Sequence, residues 1–389
     1  MKRTIGVITV ARSDYGLYAP ILKKIIAHPN LRLRLYVSGA HFSSKFGSTI
    51  REIEKDGFPI AAKVQVASTG DSPADIAVSM GQHTAGFAKV FKKEQPDIVL
   101  VLGDRFEMHA AGLAAIPFRI PLAHIHGGEL TYGAIDEYFR HSLTKLSSVH
   151  FAATKIYARH IIQMGEDPRR VIVSGAPGVD DAVHTPKFSK HELSKRYGIN
   201  FSQPVLLVNF HPVTTEYEYT KEYIVNLLRA LSYFSNYNVV FTYPNADAGR
   251  EIIIKKIEAY ARDHTNVVIV KNFGHQGHLS MMAHTTAMIG NSSSGIIEAA
   301  SFKLPVVNIG TRQEGRVRSK NVIDVAYESS NIAMGIRKAT ASNFRASLSN
   351  LVNLYGDGNA SERIVAKLSS IALDGLVVKK FYPYPPYRK

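Results

Sequence analysis

The chain has 389 residues, a net charge of +15 from 47 basic and 32 acidic side chains, and no cysteine. That length exceeds one ordinary core and makes two domains the default, while the missing cysteines exclude disulfides and thiolate zinc sites. Hydrophobic content of 45% and near-neutral mean hydropathy indicate a globular protein, and no apolar run approaches the roughly 20 residues a bilayer span needs.

Strands are expected at 4–10, 31–37, 61–66, 97–102, 121–123, 149–152 and 170–174, with helical periodicity at 15–27, 74–93 and 135–146. The chain enters its first strand at once, without a signal-peptide core, and the absence of cysteine fits a cytoplasmic enzyme. Gly and Pro then cluster over 175–187, so a linker is placed at 177–188. The second half repeats the rhythm with strands at 204–209, 237–242, 266–270, 287–289 and 305–308 and a last helical pattern at 361–372. Strand–helix alternation predicts an α/β fold of parallel sheets covered on both faces. The expected division is an N-terminal domain over 1–177, a second over 188–360, and a C-terminal helix and tail over 361–389 that can pack back on the first. Two such domains would leave a cleft between facing strand ends. The basic, Pro/Tyr-rich tail KKFYPYPPYRK (379–389) reads as an irregular strap.

Ionisable residues gather where these strands end, the place where parallel sheets bind ligands. GDRFE (103–107) follows one strand and HIHGGE (124–129) the next, with GAIDE (133–137) shortly after. Asp104, His126, Glu129 and Asp136 therefore can converge on one pocket, a set suited to proton transfer. His124 and His126 are both read as belonging to the strand end, one expected in the core and the other in the site. Arg12, after the first strand and near a helix start, is either a phosphate contact or a solvated loop arginine with Asp14 as a cap. There is no GxGxxG here, which argues against a nicotinamide dehydrogenase. In the second half, NSSSG (291–295) opens a helix and puts Ser292 and Ser293 where N–H groups favour a diphosphate; Glu298, further in, can accept from a ribose diol. Arg312 lies among three arginines of GTRQEGRVR (310–318), a pattern for negative charge. His211 and Asn245 follow two further strands. The 16 histidines show no HExxH and no metal pattern, so no metal and no cofactor is expected.

Together GDRFE, HIHGGE…AIDE…RHSLTK, HPVTT, PNADAG, GNSSSG…E, GTRQ…GR and YGDGNA resemble the UDP-N-acetylglucosamine 2-epimerase family over nearly the whole chain. The resemblance implies the GT-B architecture, two Rossmann-like doubly wound domains with nucleotide in the cleft, no nicotinamide, and a homodimer or homotetramer. The GG-E…IDE…RHSLTK region is similar to the hydrolysing, sialic-acid branch, which releases UDP and free ManNAc. Many members carry Glu where this chain has His126. In that chemistry UDP is eliminated to a 2-acetamidoglucal, then water adds at C1 and a proton at C2. Asp104, His126 and Asp136 would transfer protons and activate water, with Glu129 as orienter or alternative base; Asp104 and Asp136 are open to exchange of roles. Arg12, Ser292, Ser293 and His211 would hold the diphosphate, which places His211 with the catalytic set at the leaving group. Glu298 would bind ribose, and Arg105, Asn245 and Arg312 would line the cleft. The nearest alternative is the same reaction on UDP-2,4-diacetamido-2,4,6-trideoxyglucose, toward legionaminic acid; others are a non-hydrolysing epimerase and a GT-B glycosyltransferase. A nucleic-acid partner rests on net charge alone, because Lys and Arg never run longer than a pair.

Overall fold

The computed structural model describes residues 2–43, 49–66, 72–132, 135–245 and 248–383. The chain divides into two compact units, Met1–Asp180 with Gly358–Lys389, and Asp181–Asp357. The first is built on β1 (Arg3–Thr9), β2 (Leu31–Ser38), β3 (Ile60–Val64), β4 (Ile98–Leu102), β5 (Leu122–Ile125), β6 (Val149–Ala152) and β7 (Val171–Val173), in the order β3-β2-β1-β4-β5-β6-β7. The second holds β8 (Val205–Asn209), β9 (Asn238–Thr242), β10 (Val267–Val270), β11 (Ala287–Gly290), β12 (Val306–Ile309) and β13 (Val322–Val325), in the order β10-β9-β8-β11-β12-β13. Every pairing is parallel. Central strands such as β4, β5, β8 and β9 are buried at each residue, as expected where helices cover both faces. In both sheets the strand order reverses beside the first strand, between β1 and β4 and between β8 and β11. Loops leaving neighbouring strands diverge at such a point, which is where parallel sheets bind ligands.

The expected strands all form, within about two residues of their predicted limits. The edge strand β13 was not expected. Its Asp324 interrupts the apolar run and is exposed, bonded to Arg318 and Asn308. Residues 177–188, expected as a linker, are instead helical over Pro177–His184; proline in the first turn loses no intrahelical hydrogen bond. The chain re-enters the first unit at Gly358. There Asp180 accepts from the N–H groups of Ala360 and Ser361 at 2.8 and 2.7 Å, which caps the helix Ala360–Ser370. Ile364, Val365 and Leu368 of that helix join Ile21, Leu22 and Ile25 in the core. Among the described residues no helix is long and apolar enough to cross a membrane.

Candidate active site

In the first unit, β5 ends at Ile125 and the chain turns at His126, whose φ of +64° is left-handed. His126 is thus past the strand, while His124 stays in it. His124 is fully buried, 2.8 Å from the Gly103 carbonyl, and burial pushes its pKa down to about 3. It is the core histidine. His126 Nδ1 lies 2.6 Å from Glu129 Oε1. Glu129 Oε2 is 3.5 Å from Arg140 Nη1, and Arg140 Nη2 pairs with Asp104 and donates to Thr131 at 2.8 Å. Arg140 comes from the helix Asp136–Leu146 and is buried. One continuous chain of contacts therefore runs His126–Glu129–Arg140–Asp104, and its arginine was not among the expected site residues. Asp136 begins the same helix. Burial and then the nearby Asp104 carboxylate raise its pKa, against the pull of Arg105 and Arg140. The loop before this helix is held by Glu137, which accepts from Thr131 N–H at 2.7 Å. Gly133 and Ala134 of that loop lie outside the described residues.

Two expected ligands take other partners. Arg105 forms a two-point pair with buried Glu107 at 3.1 and 2.8 Å, although its charge reaches both Asp14 and Asp136. Arg12 points to Glu52 at 3.2 Å, with 61% of its side chain exposed. Asp14 folds back on the end of β1, accepting from Thr9 Oγ1 and the Val10 and Ala11 N–H groups. Burial nevertheless raises its pKa to about 6.

The second unit contains a pocket of about 410 Å³ at its own strand ends, lined by His211, Asn245, Ser292, Ser293 and Arg312 among others. Gly290, at φ +137°, starts the turn; a Cβ there would sit 2.0 Å from the Asn209 carbonyl oxygen. Asn291 then grips His211 by its backbone, accepting from its N–H at 2.7 Å and donating to its carbonyl at 2.9 Å. The Asn291 carbonyl in turn accepts from Arg312 at 3.0 Å. The Asn245 N–H donates to His211 Nδ1 at 3.1 Å, so the ring proton resides on Nε2. Burial, reinforced by Arg312 and His278, pushes the His211 pKa down to about 3. The site therefore offers a neutral imidazole donor beside a fixed cation. Ser292 Oγ caps the short helix Ser293–Ile297. Glu298 follows that helix, outside the pocket lining, and its charge reaches His275. Ala246 and Asp247 of the PNADAG motif lie outside the described residues.

Lys271, Phe273 and His278 also line this pocket and were not singled out by the sequence. The available signal was positional: they follow β10 as His211 follows β8, but Lys-Asn ahead of Phe-Gly reads as turn chemistry. Among the described residues no group of three or more His, Asp or Glu is placed to hold a metal.

The model of the UDP-N-acetylglucosamine 2-epimerase family matches residues 23–369. The chain is 37% identical to the UDP-N,N'-diacetylbacillosamine 2-epimerase (hydrolyzing) of Legionella pneumophila, covering 99% of this chain and 100% of that protein. It is 36% identical to the polysialic acid biosynthesis protein P7 of Escherichia coli, over 92% of each. The solved UDP-GlcNAc 2-epimerase of Neisseria meningitidis bound to UDP-GlcNAc superposes with a TM-score of 0.80 at 20% identity, covering 94% of this chain and 99% of that one, and so shares the fold.

Proposed function

The chain belongs to the UDP-N-acetylglucosamine 2-epimerase family, and on that premise we propose a hydrolysing 2-epimerase that converts UDP-GlcNAc and water to ManNAc and UDP. The observation that carries this reading is the His126–Glu129–Arg140–Asp104 chain with Asp136 beside it. That is more acid/base machinery than a single-base glycosyl transfer requires.

The substrate dictates the sequence of bonds. C2–H has no adjacent carbonyl, so its removal would leave an unstabilised carbanion. Breaking the C1–O bond as the proton leaves forms the C1–C2 double bond of a 2-acetamidoglucal and carries the electron pair away on UDP. Charge then grows on the diphosphate, and donors already in place lower that barrier most. Arg312, Ser293 and the Nε2–H of neutral His211 are the donors in this proposal; an imidazolium is unnecessary beside Arg312. Water next adds its oxygen to C1, and C2 takes a proton on the opposite face. Asp104 and Asp136 serve the two C2 proton transfers. Burial and the nearby Asp104 carboxylate raise the Asp136 pKa, which suits it to the acid role. Glu129 fixes the His126 tautomer through Nδ1 and leaves Nε2 basic for water activation.

A second reading keeps this chemistry and changes the sugar. N,N'-diacetylbacillosamine is 2,4-diacetamido-2,4,6-trideoxyglucose, which matches GlcNAc at C1 and C2 and differs at C4 and C6. The activity for which the Legionella pneumophila relative is named favours it. Both readings are tested by NMR in D2O with each UDP-sugar separately and no acceptor. The expected result is UDP and free ManNAc deuterated at C2. Turnover of the diacetamido substrate alone would select the second reading. A product still attached to UDP, or turnover only after adding an acceptor, would sink both.

A further inference from the structure

We infer that Glu216 is a positioning residue that holds the loop carrying Arg312 against the loop carrying His211, and so presets the diphosphate contacts of the second unit. This rests on reading Arg312 and His211 as diphosphate ligands. The two loops leave β8 and β12, which are separated by β11. On the inner side they are joined by Asn291, which holds the His211 backbone with its side chain and Arg312 with its carbonyl. On the outer side they are joined by Glu216, where the short helical run Thr214–Tyr219 breaks. Its Oε1 accepts from Thr311 Oγ1 at 2.6 Å. Its Oε2 accepts from Tyr223 and Tyr327 hydroxyls at 2.9 and 3.1 Å.

The tie is stiff for a partly exposed cluster. The Tyr223 and Tyr327 rings stack in parallel with centroids 3.5 Å apart. Tyr327 also accepts from the Thr311 N–H at 3.2 Å. Gly310, at φ +70°, lies flat against Tyr327, where a Cβ would sit 1.9 Å from the ring. Thr311 is the residue before Arg312, so fixing Thr311 fixes where the guanidinium starts. A loop ordered in advance loses less conformational entropy when it binds an anion.

The test is titration of UDP and of uridine into wild type, Glu216→Ala, Arg312→Ala and the double variant. Glu216→Ala should raise the UDP Kd about tenfold, the scale of one lost charge-assisted hydrogen bond, and leave uridine binding unchanged. In the Arg312→Ala background it should add little, because the tie acts through that arginine. Glu216→Gln, which still bonds hydroxyls, should restore most of the affinity. Unchanged UDP affinity in folded Glu216→Ala, or full additivity in the double variant, would overturn the assignment. If Glu216→Ala fails to fold, Thr311→Val and Tyr327→Phe each remove one member of the tie, and unchanged affinity in both overturns it equally. Wild type that binds no UDP would instead remove the nucleotide reading beneath it.

Discussion

At His126 a side chain with a Cβ occupies left-handed backbone, φ +64°, a conformation that costs on the order of 1–3 kcal/mol for a non-glycine residue. The fold tolerates it because the His126 N–H still donates to the Phe151 carbonyl at 3.2 Å and its ring is anchored on Glu129. The turn moves the imidazole out of the alternation of β5, which would otherwise set it by strand parity. The acid of the proposed pair is tested by Asp136→Asn, which preserves shape and removes the titrating proton. Its kcat should fall at least about 100-fold, the usual range for a lost general acid or base. The UDP Kd should hold, since the proposed diphosphate donors belong to the second unit. Steady-state kinetics with a UDP titration checks this, and full turnover would remove Asp136 from the chemistry.

The helix that carries Asp136 and Arg140 is fastened at its other end by the C-terminal segment. Lys379 donates to the carbonyls of Lys145 and Ser147 and lies 2.7 Å from Glu166 Oε2. A cation among the last carbonyls of a helix complements its dipole. Burial would push the Glu166 pKa up, but His150, Lys145 and Lys379 outweigh it and hold it at about 2. Arg170 binds the carbonyls of Gly375, Leu376 and Val378, and Phe381 covers Gly165. Lys379→Met should therefore cost about 1–3 kcal/mol, because Glu166 keeps two of its three partners. Urea unfolding measures it, and an unchanged midpoint would mean the Lys379 contacts contribute nothing. Elements of this kind mark the limit of what the sequence could disclose. Buried parallel strands announce themselves as unbroken apolar runs, and a glycine beside an ionisable residue marks their ends, so β4, β5 and Asp104, His126 and Glu129 were legible. Arg140 was not: it sits mid-helix among other charged residues, and only folding turns it inward between two carboxylates. Arg12 sits at the expected strand end, yet Glu52 takes its guanidinium. The Gly/Pro cluster at 177 also starts a helix, Pro177–His184, because proline fits a first turn as well as it fits a linker.

Across the whole molecule, burial of neutral histidine couples stability to pH. Burial pushes His41 and His278 down to about 4 and His124 and His211 down to about 3. An unfolded histidine titrates near 6.5. Below that pH the unfolded chain takes up protons that these folded sites refuse, so their contribution is complete above about pH 6.5 and is lost progressively as pH falls toward the folded values. Asp14 works in the opposite sense. Its folded pKa of about 6 lies above the ordinary aspartate value of 3.8, so over that interval the folded state binds the proton first and gains stability as pH falls. Near pH 5 the four histidines outweigh the one carboxylate, and unfolding should absorb about three protons from these groups. Glu166 adds to the loss only below the ordinary glutamate range, since its folded value is about 2. The melting temperature should thus be nearly level from pH 8 to 6.5 and fall steeply from 6.5 to 4.5. Calorimetry across that range, with proton uptake followed on urea unfolding in weak buffer at pH 5, measures both quantities. A melting temperature that stays level down to pH 4.5 would mean that these histidines are charged in the folded protein, and the neutral Nε2–H donor assigned to His211 would fall with them.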